Sequence, residues 1–172
     1  MENKIEKFPK DLGFYMPAEW QRHDRCWMLW PTGIDPVRYP NLDNMRQAYA
    51  KTANAIVEFE PVTMITNELD VEDCQKLCGE KVAIMPLQID DSWARDSGPT
   101  FITTGPLIAG VDWTFNNYGE NLGLSYKNDA LIASKVTKHL NLECFDAPIV
   151  LEGGAIHTDG NGTLMITEDV LF

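Results

Sequence analysis

Short apolar runs alternate with helical patterns along the first half of the sequence, and few folds accommodate that order. Three runs have the length and composition of buried strands: 25–30, 61–66 and 81–89. Residues 41–59 repeat apolar side chains every three or four positions, as one face of an amphipathic helix does. Asp70 is a candidate N-cap for a short helix that ends at Gly79. The pattern predicts an α/β fold whose sheet is covered on at least one side.

The second half continues with strands and one helix. The apolar and alternating segments predict five further strands, at 100–104, 107–116, 149–154, 155–160 and 163–172. A helix is expected over 128–140, where apolar side chains recur in helical phase. No long linker or low-complexity segment interrupts the chain, so residues 1–172 are expected to form one domain.

The last residues predict that this domain is incomplete. The segment TEDVLF is apolar to its end, whereas a chain terminus usually frays into solvent as a polar tail. We therefore expect further sequence to follow Phe172 in the complete molecule.

Charge and composition exclude several classes of partner. The net charge is −12 and the basic residues are scattered, which argues against nucleic-acid binding. No apolar run approaches the ~20 residues of a membrane span, and the start lacks the apolar core of a signal peptide. We expect a cytoplasmic protein with no membrane partner.

The cysteines are expected to be reduced thiols. Cys26, Cys74, Cys78 and Cys144 include no CxxC pair. Cys74 and Cys78 stand four residues apart on a predicted helix, but no histidine lies nearby in the sequence, so no metal is expected there.

A charged loop follows the third apolar run. Asp90, Asp91 and Asp96 surround Trp93, and together they could form an anionic pocket with an aromatic wall. A planar guanidinium suits such a pocket, because it pairs with carboxylates through two parallel hydrogen bonds and stacks on an indole ring. The alternative is structural: the first two aspartates cap a turn, and Arg95 neutralises Asp96.

A second candidate segment is LEGGAIHTDG, residues 151–160. Glu152 ends an apolar run before two glycines, and His157 and Asp159 would face the same way on a strand. A Glu–His pair could hold a general base. The alternative is a histidine with a purely structural role.

Four blocks carry a resemblance to a known family. They are GFYMPAEWQRHDRCWMLWP (13–31), DDSWARDSGPTFI (90–102), VDWTFNNYG (111–119) and LEGGAIHTDGNGTLMITEDVL (151–171). Together they resemble the agmatine deiminases, which belong to the Porphyromonas-type peptidylarginine deiminase family of the pentein superfamily. The blocks occur in order and extend over almost the whole chain.

The resemblance implies a fold and a reaction. The fold is a closed α/β propeller of five modules. This chain would form roughly the first half of it. The reaction is hydrolysis of agmatine to N-carbamoylputrescine and ammonia, a step of putrescine and polyamine biosynthesis. In such enzymes a cysteine thiolate attacks the guanidinium carbon, two acids hold its nitrogens, and a histidine supported by a glutamate moves protons. Neither a cofactor nor a metal is implied.

The resemblance also assigns residues. Asp96 matches the first acid that holds the guanidinium, Glu152 matches the glutamate that supports the histidine, and Trp93 matches the aromatic wall of the substrate channel. The blocks that carry the nucleophile, the histidine and the second acid have no counterpart here, and neither His157 nor any cysteine is assigned to them. We therefore expect the 172-residue chain to be inactive alone.

Two alternative functions remain open from the sequence. The chain could be a non-catalytic guanidino- or polyamine-binding module, or half of a peptidylarginine-deiminase-like hydrolase. Uncovered module faces also predict self-association or pairing with a completing C-terminal half.

Overall fold

The first sheet is parallel and lies in the first half of the chain. The protein is described by a computed structural model for residues 8–37, 39–119 and 123–171. The three strands of this sheet are β1 (Cys26–Leu29), β2 (Val62–Thr66) and β3 (Ala83–Pro86), in that spatial order. Two helices connect them, α1 (Leu42–Ile56) and α2 (Val71–Cys78). The alternation of apolar runs and helical patterns predicted all five elements.

α1 and α2 cover one face of this sheet. Their buried side chains form a core with Trp30, Val62 and Met64. The Asn41 side chain caps α1 by accepting the Asn44 N–H at 3.0 Å. Asp70 stands at the N-cap position of α2 and Gly79 at its C-cap, as predicted, although the Asp70 side chain makes no capping hydrogen bond. Its carboxylate instead accepts a hydrogen bond from Arg46 Nη2 at 2.6 Å, so it ties α1 to α2.

The second sheet combines both strand directions. The short helix α3 (Ala94–Ser97) leads into β4 (Thr100–Thr103), which pairs antiparallel with β5 (Ile108–Thr114). Helix α4 (Ile132–His139) then returns the chain to β6 (Glu143–Val150), which pairs parallel with β5. A right-handed helical crossover is the usual way to join parallel neighbours.

α4 lies between the two sheets. Its Ile132 and Val136 pack with Leu29 and Ile65, on the face of the first sheet that α1 and α2 leave open. On its other side α4 approaches β5 closely, since a Cβ at Gly110 would stand 2.3 Å from Thr137 Cγ2. The first sheet is therefore covered on both faces.

Two of the predicted strands are wrong in extent. The strand expected at 149–154 is β6, which begins at Glu143 and ends at Val150, so Glu152 lies in the loop that follows. The polar residues in ECFDA hide the apolar pattern by which a strand is recognised in the sequence. The strand forms because α4 returns the chain beside β5. The strand expected at 163–172 is only β8 (Leu164–Ile166), which pairs with β7 (Ile156–Thr158), and α5 (Glu168–Leu171) follows it.

The mixed α/β class is confirmed. The described residues form two three-stranded sheets and a two-stranded hairpin, and a closed propeller is not among them. Half of such a propeller stays a prediction. No helix within the described ranges has the length and apolar character needed to cross a membrane.

Candidate functional site

Two aspartates fix the loop after β3, because the carboxylate of each accepts backbone N–H groups from the segment of the other. Asp129 accepts the N–H groups of Asp90 and Asp91 at 2.7 and 2.9 Å. Asp90 in return accepts the backbone N–H of Asn128 at 2.7 Å and its side-chain amide at 3.1 Å. Burial raises the pKa of Asp129 to about 7, although its two backbone hydrogen bonds act in the opposite direction. Asp90 is thus a structural residue, but its carboxylate binds the segment at Asn128 and Asp129 instead of capping the turn of its own loop.

Asp91 and Trp93 lie further along the same loop. Asp91 Oδ2 accepts the indole N–H of Trp93 at 3.1 Å, and Asp91 Oδ1 accepts the Ser92 N–H at 2.8 Å. These bonds orient the Trp93 ring, which is 38% exposed. The ring also lines an apolar cavity of about 270 Å³ together with Trp27 and Tyr49.

Asp96 is held on α3 by donors from two other segments. Its Oδ1 accepts the backbone N–H of Gly154 at 3.0 Å, and its Oδ2 accepts the hydroxyl of Tyr118 at 2.7 Å. A Cβ at Gly154 would stand 2.4 Å from Asp96 Oδ1, so glycine is required for this approach. Residues far apart in the sequence therefore converge on one carboxylate.

Glu152 lies beside Asp96. Its pKa is raised, first by burial and then by the negative charge of Asp96. The pKa of Tyr118 is also raised, by burial, by its hydrogen bond to Asp96, and by the charges of Asp96, Asp91 and Glu152. The structure thus brings Asp96 and Glu152, which the sequence singled out, to the same side of the molecule. We call Asp91, Asp96, Tyr118 and Glu152 the acidic cluster.

Arg95 does not neutralise Asp96, so that part of the structural alternative is wrong. Its Nη2 pairs with the carboxylate of Glu19, and its Nε donates to the carbonyl of Gly153 at 3.2 Å. Among the ion pairs formed within the described ranges, none involves Asp96 or Glu152. The acidic cluster therefore carries negative charge without a cation from those residues.

His157 and Asp159 do not act as a pair. His157 is an exposed residue of β7, with Nδ1 3.9 Å from a Glu19 carboxylate oxygen. Asp159 accepts the N–H groups of Asn161 and Thr163 at 2.8 and 3.1 Å, which closes the β7–β8 turn. These backbone bonds lower the pKa of Asp159. Their closeness in sequence reflects the position of His157 on strand β7 and of Asp159 in the turn that follows it.

The four thiols contact groups outside the acidic cluster. Cys74 and Cys78 are buried in the core beneath α1 and α2, where their mutual hydrogen bond and burial raise the pKa of Cys74. Burial also raises the pKa of Cys144, which lies on β6 near Asp112 and Asp146. Burial and Glu60 raise the pKa of Cys26 to about 11. A raised pKa leaves these three thiols weak nucleophiles. The hydrogen bond from Cys74 lowers the pKa of Cys78, but Cys78 is buried and cannot contact a substrate.

Sequence reasoning missed Tyr118 and Asp129 as site residues. Tyr118 and its neighbour Asn117 have φ angles of 59° and 54°, a left-handed backbone that few residues other than glycine adopt. The Gly/Asn-rich composition of the loop was the available signal for that backbone. No sequence signal connects Asp129 to Asp90 across 39 positions.

The acidic cluster is suited to a planar cation. It supplies carboxylates that lack a cationic partner among the described residues, and each carboxylate oxygen can accept more than one hydrogen bond. A guanidinium would satisfy this acceptor capacity and offset the repulsion between Asp96 and Glu152.

Comparisons with known proteins agree with one another. A sequence model described as "Porphyromonas-type peptidyl-arginine deiminase" matches residues 15–172. A Legionella pneumophila protein named "Putative agmatine deiminase" is 44% identical over 165 residues, which are 95% of this chain and 47% of that protein. A Mycoplasma capricolum protein of the same name is 42% identical over 99% of this chain and 48% of its own length.

A solved structure matches as well. The agmatine deiminase of Enterococcus faecalis superposes with a TM-score of 0.89 at 30% identity, over 97% of this chain and 47% of that one. The chain spans about half the length of the curated relatives it matches.

Proposed function

The chain belongs to the Porphyromonas-type peptidyl-arginine deiminase family, and on that premise we propose that it is the cation-binding part of an agmatine deiminase. The complete enzyme would hydrolyse agmatine to N-carbamoylputrescine and ammonia. One observation carries the proposal: Asp96 and Glu152 share a cluster that holds no cation from the described residues. The names of the relatives favour agmatine over a peptidyl-arginine substrate.

Asp96 would hold the guanidinium group. Its two oxygens are fixed by Gly154 N–H and Tyr118 O–H, which leaves a remaining lone-pair direction on each oxygen for a substrate N–H. A preorganised carboxylate of this kind gives stronger binding than a mobile one, because little side-chain entropy is lost on binding. Trp93 would line the approach for the aliphatic part of agmatine.

Glu152 would assist proton transfer rather than bind the substrate directly. Its raised pKa means that it takes up a proton more readily than an exposed glutamate does. In the proposed enzyme Glu152 supports a histidine, and the cationic substrate would shift Glu152 back toward its charged form.

The nucleophile would come from residues outside these 172. A thiolate must reach the guanidinium carbon. The pKa values of Cys26, Cys74 and Cys144 are raised, and Cys78, whose pKa is lowered, is buried in the first core. We propose that the histidine, the second acid and the reactive cysteine lie on further modules that complete a propeller, and that the present chain is one incomplete domain of it.

Exposed apolar residues agree with a missing covering surface. The side chains concerned lie at the end of β6 and along β8: Ile149, Val150, Leu164, Met165 and Ile166, which are 41% to 66% exposed. Surfaces of this kind usually mark an interaction site. Further modules or a second copy of the chain would cover them.

A second candidate function is binding without catalysis. The acidic cluster around Asp96 favours it, because this cluster forms within the chain and has no thiol beside it. In that case the chain would bind agmatine or a related cation and release it unchanged.

Calorimetry with agmatine tests the binding part. The wild-type chain should bind, Asp96→Asn should bind at least about tenfold more weakly, and Asp73→Asn, an exposed site on α2, should bind as wild type does. Equal affinity in all three chains would refute the role of Asp96.

An activity assay tests the catalytic part. Ureido product should not form from agmatine with the 172-residue chain alone, because the proposed nucleophile is absent. Robust product formation would refute the assignment of the nucleophile to other modules, while leaving the binding role of Asp96 intact.

A further inference from the structure

A cluster of three potential metal ligands lies at the opposite edge of the first sheet from the acidic cluster. Cys26 is the first residue of β1, and Glu60 stands two residues before β2 begins. His23 lies in the segment that leads into β1. Because the strands are parallel, their starting ends share one edge, whereas the Asp90–Asp96 loop follows the far end of β3. This cluster is therefore separate from the proposed binding site.

The three side chains already contact one another. Glu60 Oε1 accepts the S–H of Cys26 at 3.1 Å, and Glu60 Oε2 lies within hydrogen-bond distance of His23 Nδ1. The imidazole nitrogen, the sulfur and a carboxylate oxygen all lie within 4.8 Å of one another. Around a tetrahedral zinc ion, bond lengths of about 2.0–2.3 Å separate neighbouring ligand atoms by roughly 3.3–3.8 Å. The three ligand atoms therefore lie close to the spacing that a single ion requires.

The backbone that carries two of these ligands is rigid. The N–H of Cys26 donates to the carbonyl of Pro61 at 2.9 Å, and Cys26 pairs in register with Val62. Cys26 and Glu60 are thus held side by side by the β1–β2 ladder. Their arrangement does not depend on a metal, which is the property of a preformed site.

The cluster is accessible from solvent. The side chains of His23 and Glu60 are 53% and 20% exposed, and Cys26 is half-buried. An ion can enter, and a water molecule can complete its coordination. The guanidinium of the neighbouring Arg25 is directed elsewhere: Nη1 donates to Thr63 at 3.3 Å, and the group lies over the Trp27 ring.

We propose that His23, Cys26 and Glu60 form a binding site for a divalent zinc-like cation. The ligands are His23 Nδ1, Cys26 Sγ and one Glu60 oxygen, with water in the fourth position. On binding, Cys26 loses its thiol proton to solvent, and the Glu60 hydrogen bonds are replaced by the metal–oxygen bond. Imidazole, thiolate and carboxylate are the ligand types that zinc prefers.

A bound ion would join the segment before β1 to the start of β2. It would stabilise the folded chain, since it binds the native arrangement and not the dispersed ligands of the unfolded chain. The proposed hydrolysis requires no metal, so this site is structural and independent of the proposed function.

Alternative clusters in the described part of the chain suit zinc less well. Asp112, Cys144 and Asp146 also lie within 4.8 Å of one another, but that group lacks an imidazole. Cys74 and Cys78 are buried in the first core and have no third ligand beside them in the described residues. Cys144 therefore provides the matched control.

Titration with Co²⁺ tests the proposal, because thiolate coordination gives a charge-transfer absorption in the near ultraviolet. The wild-type 172-residue chain should show this band, saturating at one equivalent, and Zn²⁺ should displace it. Cys26→Ser should lose the band, and Cys144→Ser should keep it. Glu60→Gln and His23→Ala should bind at least about tenfold more weakly, since even the loss of a group that only hydrogen-bonds to a metal ligand costs that much.

Thermal unfolding gives a second readout. Zn²⁺ should raise the midpoint of wild type and of Cys144→Ser and should leave that of Cys26→Ser unchanged. Circular dichroism checks that each variant is folded, and the exposed His23→Ala substitution remains informative if Cys26→Ser does not fold. Absence of the band in wild type, its persistence in Cys26→Ser, or its loss in folded Cys144→Ser would each overturn the proposal.

Discussion

Two pairs of acidic residues flank the same loop, and their surroundings differ. Asp90 and Asp129 accept backbone N–H groups from each other's segments, and both are buried. Asp96 and Glu152 lie together at the acidic cluster, where Asp96 has one backbone donor and one hydroxyl donor. Burial separates the two pairs. Asp90 and Asp129 are buried against the segments whose N–H groups they accept, whereas Asp96 and Glu152 are only partly buried and stay within reach of a ligand.

The comparison explains why composition alone could not distinguish structural from binding aspartates. Asp90, Asp91 and Asp96 belong to one short segment and are the same residue type. Asp90 faces Asn128 and Asp129, Asp91 orients Trp93, and Asp96 faces Tyr118 and Gly154. Each role follows from a different partner segment.

The largest expected effect is on the free energy of unfolding, at the pair Asp90 and Asp129. Asp129→Ala removes the acceptor of two backbone N–H groups and should lower the free energy of unfolding by about 3 kcal/mol. Urea denaturation monitored by tryptophan fluorescence measures it. Asp96→Ala is the matched comparison and should cost less than about 1 kcal/mol, because it also relieves repulsion with Glu152. Equal losses of unfolding free energy in Asp129→Ala and Asp96→Ala would contradict the assignment of a structural role to Asp129 and a binding role to Asp96.

The next effect is on binding, at the acidic cluster. Gly154→Ala places a Cβ against Asp96 Oδ1, so the carboxylate must move and agmatine affinity should fall by about tenfold or more. Calorimetry measures the change. Gly105→Ala is the control: its φ of +97° makes alanine strained there, but its Cβ would meet no atom within 4 Å. That variant should lose some stability and retain affinity; a parallel loss of affinity in both would remove the steric explanation.

The smallest expected effect is the pH dependence of agmatine binding. Burial and Asp96 raise the pKa of Glu152, and a bound cation favours its charged form. The complex therefore holds fewer protons than the free chain, so affinity should rise by about threefold as pH increases through that raised pKa, and then level off. Glu152→Gln should abolish the rise. A rise that persists in this variant would assign the titration to another group.

Much of the fold was predictable from local pattern. The strands of the first sheet and α1 were predicted within a few residues, because burial imposes a short-range period on each segment. β6 was misplaced, because its exposed Glu143 and Asp146 disguise a strand that is paired through α4. The final helix was mistaken for a strand, because a four-residue segment is too short to reveal a period.

The candidate site was predictable only in part. The ordered sequence blocks singled out Asp96, Glu152 and Trp93, and the structure brings the first two together. Tyr118 reaches Asp96 because its backbone is left-handed, and no periodic sequence pattern predicts such a turn. The proposed metal ligands His23 and Glu60 are separated by 37 positions, so only the pairing of β1 with β2 brings them together.

By itself the sequence determined the α/β class, the strands of the first sheet and the family, since these depend on local hydrophobic order and on contiguous blocks of residues. Tertiary structure alone decided which aspartates are buried against backbone donors, which carboxylates share a site, and which thiol lies beside an imidazole. The physical reason is that hydrogen bonds and charge interactions act across space, between segments tens of residues apart, whereas sequence patterns report each segment separately.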